Sequence, residues 1–289
     1  MFDYLRPPTL EAALTTLKAR GDQAKLLAGG QSLVPVLNLR LAAPDLLIDL
    51  NAIASLRELV HESDGALRVG AMTRHRTLER DDDVARSHPL IPVVADHIAH
   101  VQIRNRGTIG GSLCHADPAA EWPAVCLACD AEMTLASTSG QRVVPAAEFS
   151  LGVYTTALEP NEILTQIRFP AWPSGRRWGF LEVSRRRGDF AIVGVIVWLD
   201  LDTSEICRKA RIVVFGAGDV ASLASTATRS LIGKKVDTAS ITQAAHLARN
   251  EVEVRSDHHA SAAYRSDLVQ TLVKRTLRQA MGLQIRGES

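Results

Sequence analysis

Two glycine pairs, Gly29-Gly30 and Gly110-Gly111, limit the possible folds of this chain more than its overall composition does. The first pair follows a short apolar strand at 25–28 and precedes a helix-compatible run at 33–41. Such a turn offers backbone N–H groups with no Cβ to keep an anion at a distance, which suits a phosphate. Taken alone, the pair is explained more simply as a tight turn that requires a positive φ.

The second pair lies in the segment 108–112, which is interpreted as a second turn of the same kind. Two turns about eighty residues apart could enclose the pyrophosphate and sugars of a dinucleotide from different sides. Asp117 and Glu121 would then accept hydrogen bonds from ribose or ribityl hydroxyls, although Asp117 is equally suited to cap the helix that follows. His115 either approaches the cofactor or is an ordinary loop histidine.

The length of 289 residues predicts two packing units, since a domain usually contains about 150 residues. Two prolines and a glycine interrupt every regular pattern at 170–175, so the boundary is placed there. Before it, at 1–175, we predict two subdomains, about 1–55 and 56–175, the first being a small α/β unit with a helix between Thr9 and Gly21. After it, at 176–289, we predict an α+β unit with a three-stranded sheet and helices at 240–250 and 266–280.

Charge and cysteine content narrow the classes of function. Lys and Arg total 33 against 32 Asp and Glu, so the formal net charge of +1 provides no general attraction for nucleic acid or anionic lipid. No apolar run approaches the roughly 20 residues that span a bilayer, and no basic segment followed by an apolar stretch marks a secretory signal. Four cysteines are too few for a disulfide scaffold in a chain of this length. We therefore expect a soluble, cytoplasmic protein.

At these glycine segments the chain resembles a known family, the FAD-binding medium subunit of the molybdenum hydroxylases. This family includes aerobic carbon monoxide dehydrogenase and the flavin domain of xanthine dehydrogenase. The resemblance extends over nearly the whole chain and rests on six motifs in the family order. They are Phe2-x-Tyr4-x-Arg6-Pro7, LLAGGQSL at 26–33, RNRGTIGGS at 104–112, DPAAE at 117–121, RRRGDFA at 185–191 and HASAAYR at 259–265.

The resemblance implies an α+β fold with a two-lobed FAD-binding domain of the vanillyl-alcohol-oxidase type, followed by a C-terminal α+β domain. The two glycine segments would hold the FAD pyrophosphate, Asp117 and Glu121 would lie near its hydroxyls, and Ile163 and Leu164 would line the ring site. The residues expected to bind FAD are Leu26, Leu27, Ala28, Gly29, Gly30, Gln31, Ser32, Leu33, Ile103, Thr108, Ile109, Gly110, Gly111, Ser112, His115, Asp117, Glu121, Ile163 and Leu164.

By the same resemblance, the chain is one subunit of a heterotrimer, in a complex expected to be a dimer of heterotrimers. A large subunit would oxidise the substrate at a molybdopterin centre, and a small subunit would relay electrons through [2Fe–2S] clusters. The FAD of this chain would pass them to an external acceptor, so no general acid or base and no metal ligand is expected here. Glu182 lies in the stretch where some relatives carry a lysine, which bears on the flavin potential.

A competing interpretation places a nicotinamide cofactor at Gly216. There a strand-like run at 211–215 enters a G-x-G-x-x-A pattern, as in NAD(P)-dependent dehydrogenases. The expected helix at 220–231 is rich in Ser and Thr, and Asp237 follows no apolar strand, which does not favour a dinucleotide site. A non-catalytic dinucleotide-binding or scaffold subunit, whose glycine turns are purely structural, is a further alternative.

Two other motifs have the composition of metal sites. Cys126-x-x-Cys129 resembles zinc or iron–sulfur spacing, but it lies in an apolar helix at 119–129, where small thiols pack well. Asp257-His258-His259 lacks a third ligand group at a recognisable spacing, and a polar loop before a helix explains it more simply. We predict no metal at either.

Overall fold

The computed structural model describes residues 2–283, and its first part is a parallel three-stranded sheet with strand order β1-β3-β2. Its elements are β1 (Asp3–Leu5), α1 (Leu10–Arg20), β2 (Ala24–Leu27), α2 (Leu33–Asn38) and β3 (Leu46–Asp49). The Thr9 hydroxyl accepts a hydrogen bond from Ala12 N at 3.2 Å, and Gly21 follows with φ 53°, so the predicted caps of α1 are confirmed. The predicted helix at 33–41 is three residues too long.

The second part is an antiparallel sheet with strand order β4-β5-β10-β6-β7, accompanied by a two-stranded ribbon, β8-β9. Its strands are β4 (Leu59–His61), β5 (Leu67–Gly70), β6 (Glu132–Ser137), β7 (Gly140–Pro145), β8 (Ser150–Gly152), β9 (Thr155–Thr156) and β10 (Ile163–Phe169). The predicted hairpin around Ser139-Gly140 is the β6-β7 turn. Strands β1 and β4 were not predicted because three residues are too few to show an alternation of apolar and polar positions.

Helices lie against this sheet and carry most of the central core. They are α3 (His75–Arg80), α4 (Asp82–Ser87), α5 (Leu90–His97), α6 (Val101–Arg104), α7 (Ile109–His115), α8 (Glu121–Ala128) and α9 (Ala146–Phe149). All eight residues of α8 are buried, which explains its almost uninterrupted apolar sequence. The expectation that 108–112 is a turn like the first one is wrong, because Gly110 and Gly111 lie in the first turn of α7.

The C-terminal part is an antiparallel sheet with strand order β11-β12-β13-β14, covered on one face by three helices. Its elements are β11 (Arg177–Val183), β12 (Val193–Leu201), β13 (Cys207–Phe215), β14 (Ser222–Leu223), α10 (Ser225–Leu231), α11 (Thr238–Glu251) and α12 (Ala262–Ala280). The predicted three-stranded sheet therefore has a fourth strand, two residues long, inside a Ser/Thr-rich segment that gives no strand pattern. Helix α12 begins four residues earlier than predicted, where Ser261 caps it.

The other face of this sheet packs against the helices of the N-terminal part. Phe180 of β11 stacks on Phe215 with ring centroids 6.3 Å apart and lies edge-on to His97 of α5 at 4.9 Å. Trp198 Nε1 donates to Ala128 O at 2.7 Å, which ties β12 to the end of α8. The Arg176 guanidinium lies 3.7 Å from the centroid of the Trp198 ring. Helix α8 is thus enclosed between the two parts of the chain.

Residues 170–176 connect β10 to β11 without regular secondary structure. The predicted boundary at 170–175 falls in this connection, and the division into domains stays a prediction. Residues Met1 and 284–289, which belong to the predicted first and last domains, lie outside the described residues. Within 2–283, no helix is both long enough and apolar enough to cross a membrane.

Candidate cofactor-binding site

The first glycine pair forms the turn between β2 and α2, and its backbone donors are open. Gly30 has φ +76°, so the positive φ expected for a tight turn is present at the second glycine. Gln31 Nε2 folds back onto Gly29 O at 3.1 Å. Among the described residues, the backbone N–H groups of Gly30, Gln31 and Ser32 donate no hydrogen bond to the protein. A short stretch of consecutive free N–H groups is suited to a phosphate.

The second glycine pair has no such open donors. Thr108 Oγ1 accepts from Gly111 N at 3.1 Å and caps α7, while Thr108 O accepts from Ser112 N at 3.0 Å. The N–H groups of Ile109 and Gly110 donate to backbone carbonyls of the segment 71–73. The backbone N–H groups of this segment are therefore occupied by the fold, Thr108 is buried, and only the half-buried Ser112 can offer a hydroxyl to a ligand.

The two glycine segments are in direct contact. A Cβ on Gly29 would lie 2.4 Å from Arg106 O and 2.8 Å from Gly107 Cα, and a Cβ on Gly111 would lie 3.3 Å from Ala28 Cβ. Glycine at position 29 is thus required for the close approach of the two segments. The structure brings together the two segments that the sequence singled out, and it gives Gly29 a packing role that the sequence did not reveal.

A hydrogen-bond network centred on Asn51 holds both segments. Asn51 Nδ2 donates to Ala28 O at 2.8 Å, and Asn51 N donates to Asp49 Oδ1 at 2.8 Å. The Arg74 guanidinium donates to Asn51 Oδ1 and to Arg106 O, so it connects the first segment to Arg106, two residues before the second. Tyr4 OH donates to Asp49 Oδ2, and this hydrogen bond together with those from Asn51 holds the pKa of Asp49 below its ordinary value despite burial. Sequence reasoning missed this network because its members come from two strands and two loops that are distant in the sequence.

Three arginines converge beside the open turn. Arg57 donates to Asn51 O, and Arg57 and Arg106 both act on the half-buried Arg74. Burial and the charges of these two neighbours lower the pKa of Arg74. A bound anion would relieve this repulsion, so the cluster of Arg57, Arg74 and Arg106, which we call the arginine cluster, complements the free N–H groups. The residues present fit a pyrophosphate.

Asp117 lies at the far end of α7 and is held by a tyrosine. Its Oδ1 accepts from Ala119 N at 2.9 Å, and its Oδ2 accepts from Tyr154 OH at 3.2 Å. Tyr154 also lies against His115, with ring centroids 5.0 Å apart, and has the left-handed φ of 53° that bulky residues rarely adopt. The proposed capping of α8 by Asp117 is wrong, since Ala120 occupies the N-cap and Asp117 closes the preceding turn instead.

Two carboxyl groups follow Asp117 along the chain, one on a buried residue and one on a half-buried residue. Glu121, the first residue of α8, is 4% exposed, and burial together with the charges of Glu182 and Asp117 raises its pKa to about 8. Glu182 of β11 has a buried Oε2 with no hydrogen-bond partner, and burial raises its pKa to about 7. An unpartnered buried oxygen requires a donor that the described protein does not supply.

The remaining predicted ligands are less accessible. Ile103 lies in α6, and its carbonyl accepts a hydrogen bond from Gly107 N at 2.7 Å. This bond fixes the backbone just before the second glycine segment. Ile163 and Leu164 lie within β10 and are 1% and 3% exposed, as core residues of the sheet. Contact of these residues with a flavin stays a prediction.

The Gly216 turn does not have the geometry of a nicotinamide site. Gly216 N donates to Pro118 O at 3.0 Å, and a Cβ on Gly216 would lie 2.8 Å from Ala191 O. A Cβ on Gly218 would lie 2.8 Å from Glu253 O. Backbone from three other segments fills the space that a pyrophosphate would need, and β14 rather than a helix follows the turn.

The cysteine and histidine motifs have ordinary structural surroundings. Cys126 and Cys129 are free thiols buried at the end of α8, where burial raises the pKa of each. Asp257 forms an ion pair with Arg265 at 2.7 Å and accepts a hydrogen bond from His259 N. The Asp257-His258-His259 motif is therefore part of a polar loop before α12. Within 2–283, no group of three or more His, Cys, Asp or Glu side chains is arranged to hold a metal ion.

Comparison with protein families gives two matches that follow one another along the chain. The family described as "FAD binding domain in molybdopterin dehydrogenase" matches residues 1–172, and the family described as "CO dehydrogenase flavoprotein C-terminal domain" matches residues 178–280. The chain belongs to the FAD-binding subunits of the molybdopterin dehydrogenases. The resemblance seen in the six motifs, the α+β class and the FAD cofactor are therefore confirmed.

Individual relatives match this chain over nearly their full length. The 6-hydroxypseudooxynicotine dehydrogenase complex subunit alpha of Paenarthrobacter nicotinovorans is 41% identical over 97% of this chain and 94% of that protein. The carbon monoxide dehydrogenase medium chain of Hydrogenophaga pseudoflava is 36% identical over 96% of both. In the crystal structure of quinoline 2-oxidoreductase from Pseudomonas putida 86, a chain 38% identical superposes with a TM-score of 0.92 over 98% of both. This family consists of subunits of oxidoreductases, so the chain is an oxidoreductase subunit that carries FAD.

Proposed function

We propose that this chain carries FAD as an electron relay between two partner subunits and an external acceptor. Electrons would come from a molybdopterin centre in a large subunit through [2Fe–2S] clusters in a small subunit, in a dimer of heterotrimers. The observation that carries the proposal is the row of free N–H groups at Gly30, Gln31 and Ser32 beside the arginine cluster. When bound, FAD supplies the redox chemistry, since it accepts electrons and passes them on.

The protein's own residues bind and orient the cofactor. The open turn and the arginine cluster neutralise the pyrophosphate, which fixes the middle of the dinucleotide. Asp117, oriented by Tyr154, accepts hydrogen bonds from sugar or ribityl hydroxyls at the other end of α7. Helix α7 has seven residues and is therefore about 10 Å long, which sets the distance between these two sites.

The domain division and the location are part of the proposal. Residues 1–175 would bind FAD, and 176–289 would cover it, since β11 and β13 pack against α5 and α8. A cytoplasmic location is supported by the four cysteines, which are all free thiols.

Substrate selection would lie outside this chain. Relatives named for 6-hydroxypseudooxynicotine, carbon monoxide and quinoline match nearly the whole chain at 36–41% identity. Each of these complexes has its own related subunit, although the molecules that they act on differ. The subunit would therefore have the role that is common to all of them, which is the removal of electrons.

The test is the absorption spectrum of the purified full-length chain, followed by chromatography of the cofactor released on denaturation. We expect one FAD per chain and no iron. Arg57→Gln should lower FAD affinity, whereas Arg20→Gln, an exposed arginine at the end of α1, should not. A folded sample that binds no flavin after addition of FAD would refute the proposal and support the scaffold alternative.

A further inference from the structure

Helix α2, which follows the open turn, consists of apolar residues that the rest of the described chain does not cover. Five of its six residues are apolar, yet none is buried, and none belongs to a hydrophobic core of the described residues. Just beyond the helix, Leu39 is 70% exposed and Leu41 is 75% exposed. A helix of a globular protein normally turns its apolar side chains towards a core, and a contiguous exposed apolar surface marks an interaction site.

Helix α2 lies on the face of the first sheet that is turned away from α1. The strand order β1-β3-β2 makes the second crossover return in the opposite direction, so right-handed crossovers place the two helices on opposite faces. Leu46 and Ile48 of β3 pack with α1. Leu47 and its partner on β1, Tyr4, therefore lie on the face of α2, where Tyr4 donates to Asp49 and is still 56% exposed. The uncovered surface thus continues into the hydrogen-bond network of the cofactor site.

The loop after α2 holds its exposed leucines in a fixed conformation. Leu41 N donates to Val36 O at 3.0 Å. Arg40 N donates to Leu37 O at 3.0 Å, and the two bonds together form a Schellman motif. This motif usually has glycine at the position of Arg40 and an apolar contact at the position of Leu41. Here Arg40 has a left-handed φ of 57°, and the exposure of Leu41 leaves little of that contact. The leucines are therefore preorganised for a contact outside the chain.

The charge of this surface indicates what kind of protein fits it. Arg40 is the only charged residue in 26–44, and among the described residues its side chain forms no ion pair or hydrogen bond. A second copy docked through the same face would bring two guanidinium groups together between apolar side chains, which is unfavourable. A different protein with a carboxylate inside an apolar patch would instead pair with Arg40.

We propose that the exposed side chains of Tyr4, Val34, Leu39, Arg40 and Leu41, which we call the α2 face, dock the partner subunit that supplies electrons to FAD. This inference rests on the proposed function. Relatives of the chain are named as subunits of complexes, so a partner is available to cover the face. The electron donor is the partner that must approach the cofactor. Helix α2 begins at the open turn and is about 9 Å long, so docking here places the donor subunit beside the cofactor.

The test is binding of the purified [2Fe–2S] subunit of the same complex to the full-length chain loaded with FAD. Calorimetry gives the affinity, and the ratio of iron to FAD in the assembly isolated by size-exclusion chromatography gives the stoichiometry. We expect Leu39→Ser, Leu41→Ser and Arg40→Glu each to weaken binding about tenfold or more, and Arg40→Lys to retain part of the affinity. FAD affinity and the urea midpoint of the chain should not change, because these side chains are exposed.

The matched control is Leu151→Ser. Leu151 lies in β8 and is 62% exposed, so the replacement removes an equally exposed leucine outside the α2 face. We expect this variant to bind the [2Fe–2S] subunit as the wild type does. The comparison separates the α2 face from a general effect of surface hydrophobicity.

The outcomes distinguish the possible occupants of the face. Wild-type affinity for the [2Fe–2S] subunit in the Leu39, Arg40 and Leu41 variants would overturn the inference. Loss of FAD affinity in Leu41→Ser would also overturn it, since the cofactor would then cover the face, and so would loss of self-association, since a second copy would. A wild-type chain that binds the [2Fe–2S] subunit but no FAD would overturn the proposed function, while the variants would still decide where that subunit docks.

Discussion

Asn51 accepts a hydrogen bond from the guanidinium of Arg74, and the two side chains together join the carbonyl of Ala28 to the carbonyl of Arg106. Ala28 precedes the first glycine pair, and Arg106 lies shortly before the second segment, about eighty residues further along the chain. The relative position of the segments is therefore set by one amide and one guanidinium, in addition to the contact at Gly29.

The first prediction concerns Asn51. Replacement by Ala removes the donor to Ala28 O and leaves Arg74 with one acceptor fewer, at a cost of about 1–2 kcal/mol in the free energy of unfolding. FAD affinity, measured by quenching of flavin fluorescence, should fall about tenfold because the open turn is no longer fixed. Asn250→Ala, an exposed asparagine on α11, is the control. Wild-type affinity in Asn51→Ala would show that the network does not position the turn.

The second prediction concerns the arginine cluster. Arg57→Gln and Arg106→Gln should each weaken FAD binding by about tenfold, because a charge-assisted contact to an anion contributes roughly 1.5 kcal/mol. The double variant should also show a weaker dependence of affinity on salt concentration, since fewer charges are screened. Titrations at low and high salt measure both effects. An unchanged salt dependence would mean that the cluster does not face the bound anion.

The third prediction separates two roles of glycine in the first turn. Gly29→Ala should reduce the free energy of unfolding by about 3 kcal/mol or more, since its Cβ would meet the backbone of Arg106 at 2.4 Å. Gly30→Ala should cost only about 1–2 kcal/mol, the price of a left-handed φ for alanine. Gly152→Ala, whose Cβ would lie 4.0 Å from its nearest neighbour, is the control. Urea unfolding of the three variants provides the ranking, and equal effects at positions 29 and 30 would contradict it.

The fourth prediction concerns stability in acid. Trp122 Nε1 donates to His75 Nδ1 at 2.9 Å, and burial together with the charges of Arg74 and Arg104 lowers the pKa of His75 to about 3. The unfolded chain binds a proton at this histidine below about pH 6.5 and the folded chain does not, so stability is lost as pH falls from about 6.5 to 3. The slope from this group is about 1.4 kcal/mol per pH unit.

Urea unfolding at pH 7 and pH 5 measures this contribution. Wild type should lose about 2 kcal/mol more over this range than His75→Gln, which has no titrating group at the position. His259→Gln, an exposed histidine before α12, should retain the wild-type loss. Equal losses in wild type and His75→Gln would show that folding does not lower the pKa of His75.

The sequence predicted the parts of the fold that local patterns encode. The caps of α1 at Thr9 and Gly21, the strand-turn-helix order around Gly29-Gly30, and the β6-β7 hairpin all depend on a few neighbouring residues. The first turn of α7 was missed because two glycines lower helix propensity, and because the carbonyls of 71–73 that accept from its N–H groups belong to a distant segment. The family resemblance supplied the cofactor, which composition and spacing alone left open.

The charge arrangement of the site could not be predicted in the same way. Arg57, Arg74 and Arg106 are ordinary surface arginines when taken one at a time, and only the packing of three loops brings them together. Glu121 lies in α8 and Glu182 lies in β11, and no pattern of sequence spacing relates the two residues. Electrostatic coupling depends on distance in space, and for these residues that distance is set by the docking of the C-terminal sheet onto α5 and α8.

The enclosure of α8 limits how this protein can acquire its cofactor. The helix is buried along its whole length, and its last turn is tied to the C-terminal sheet through Trp198 and Ala128. The two halves therefore cannot swing apart as rigid bodies without breaking the core that they share. Because the donors of the turn after β2 are already open, loading of the cofactor there does not require the two halves to separate.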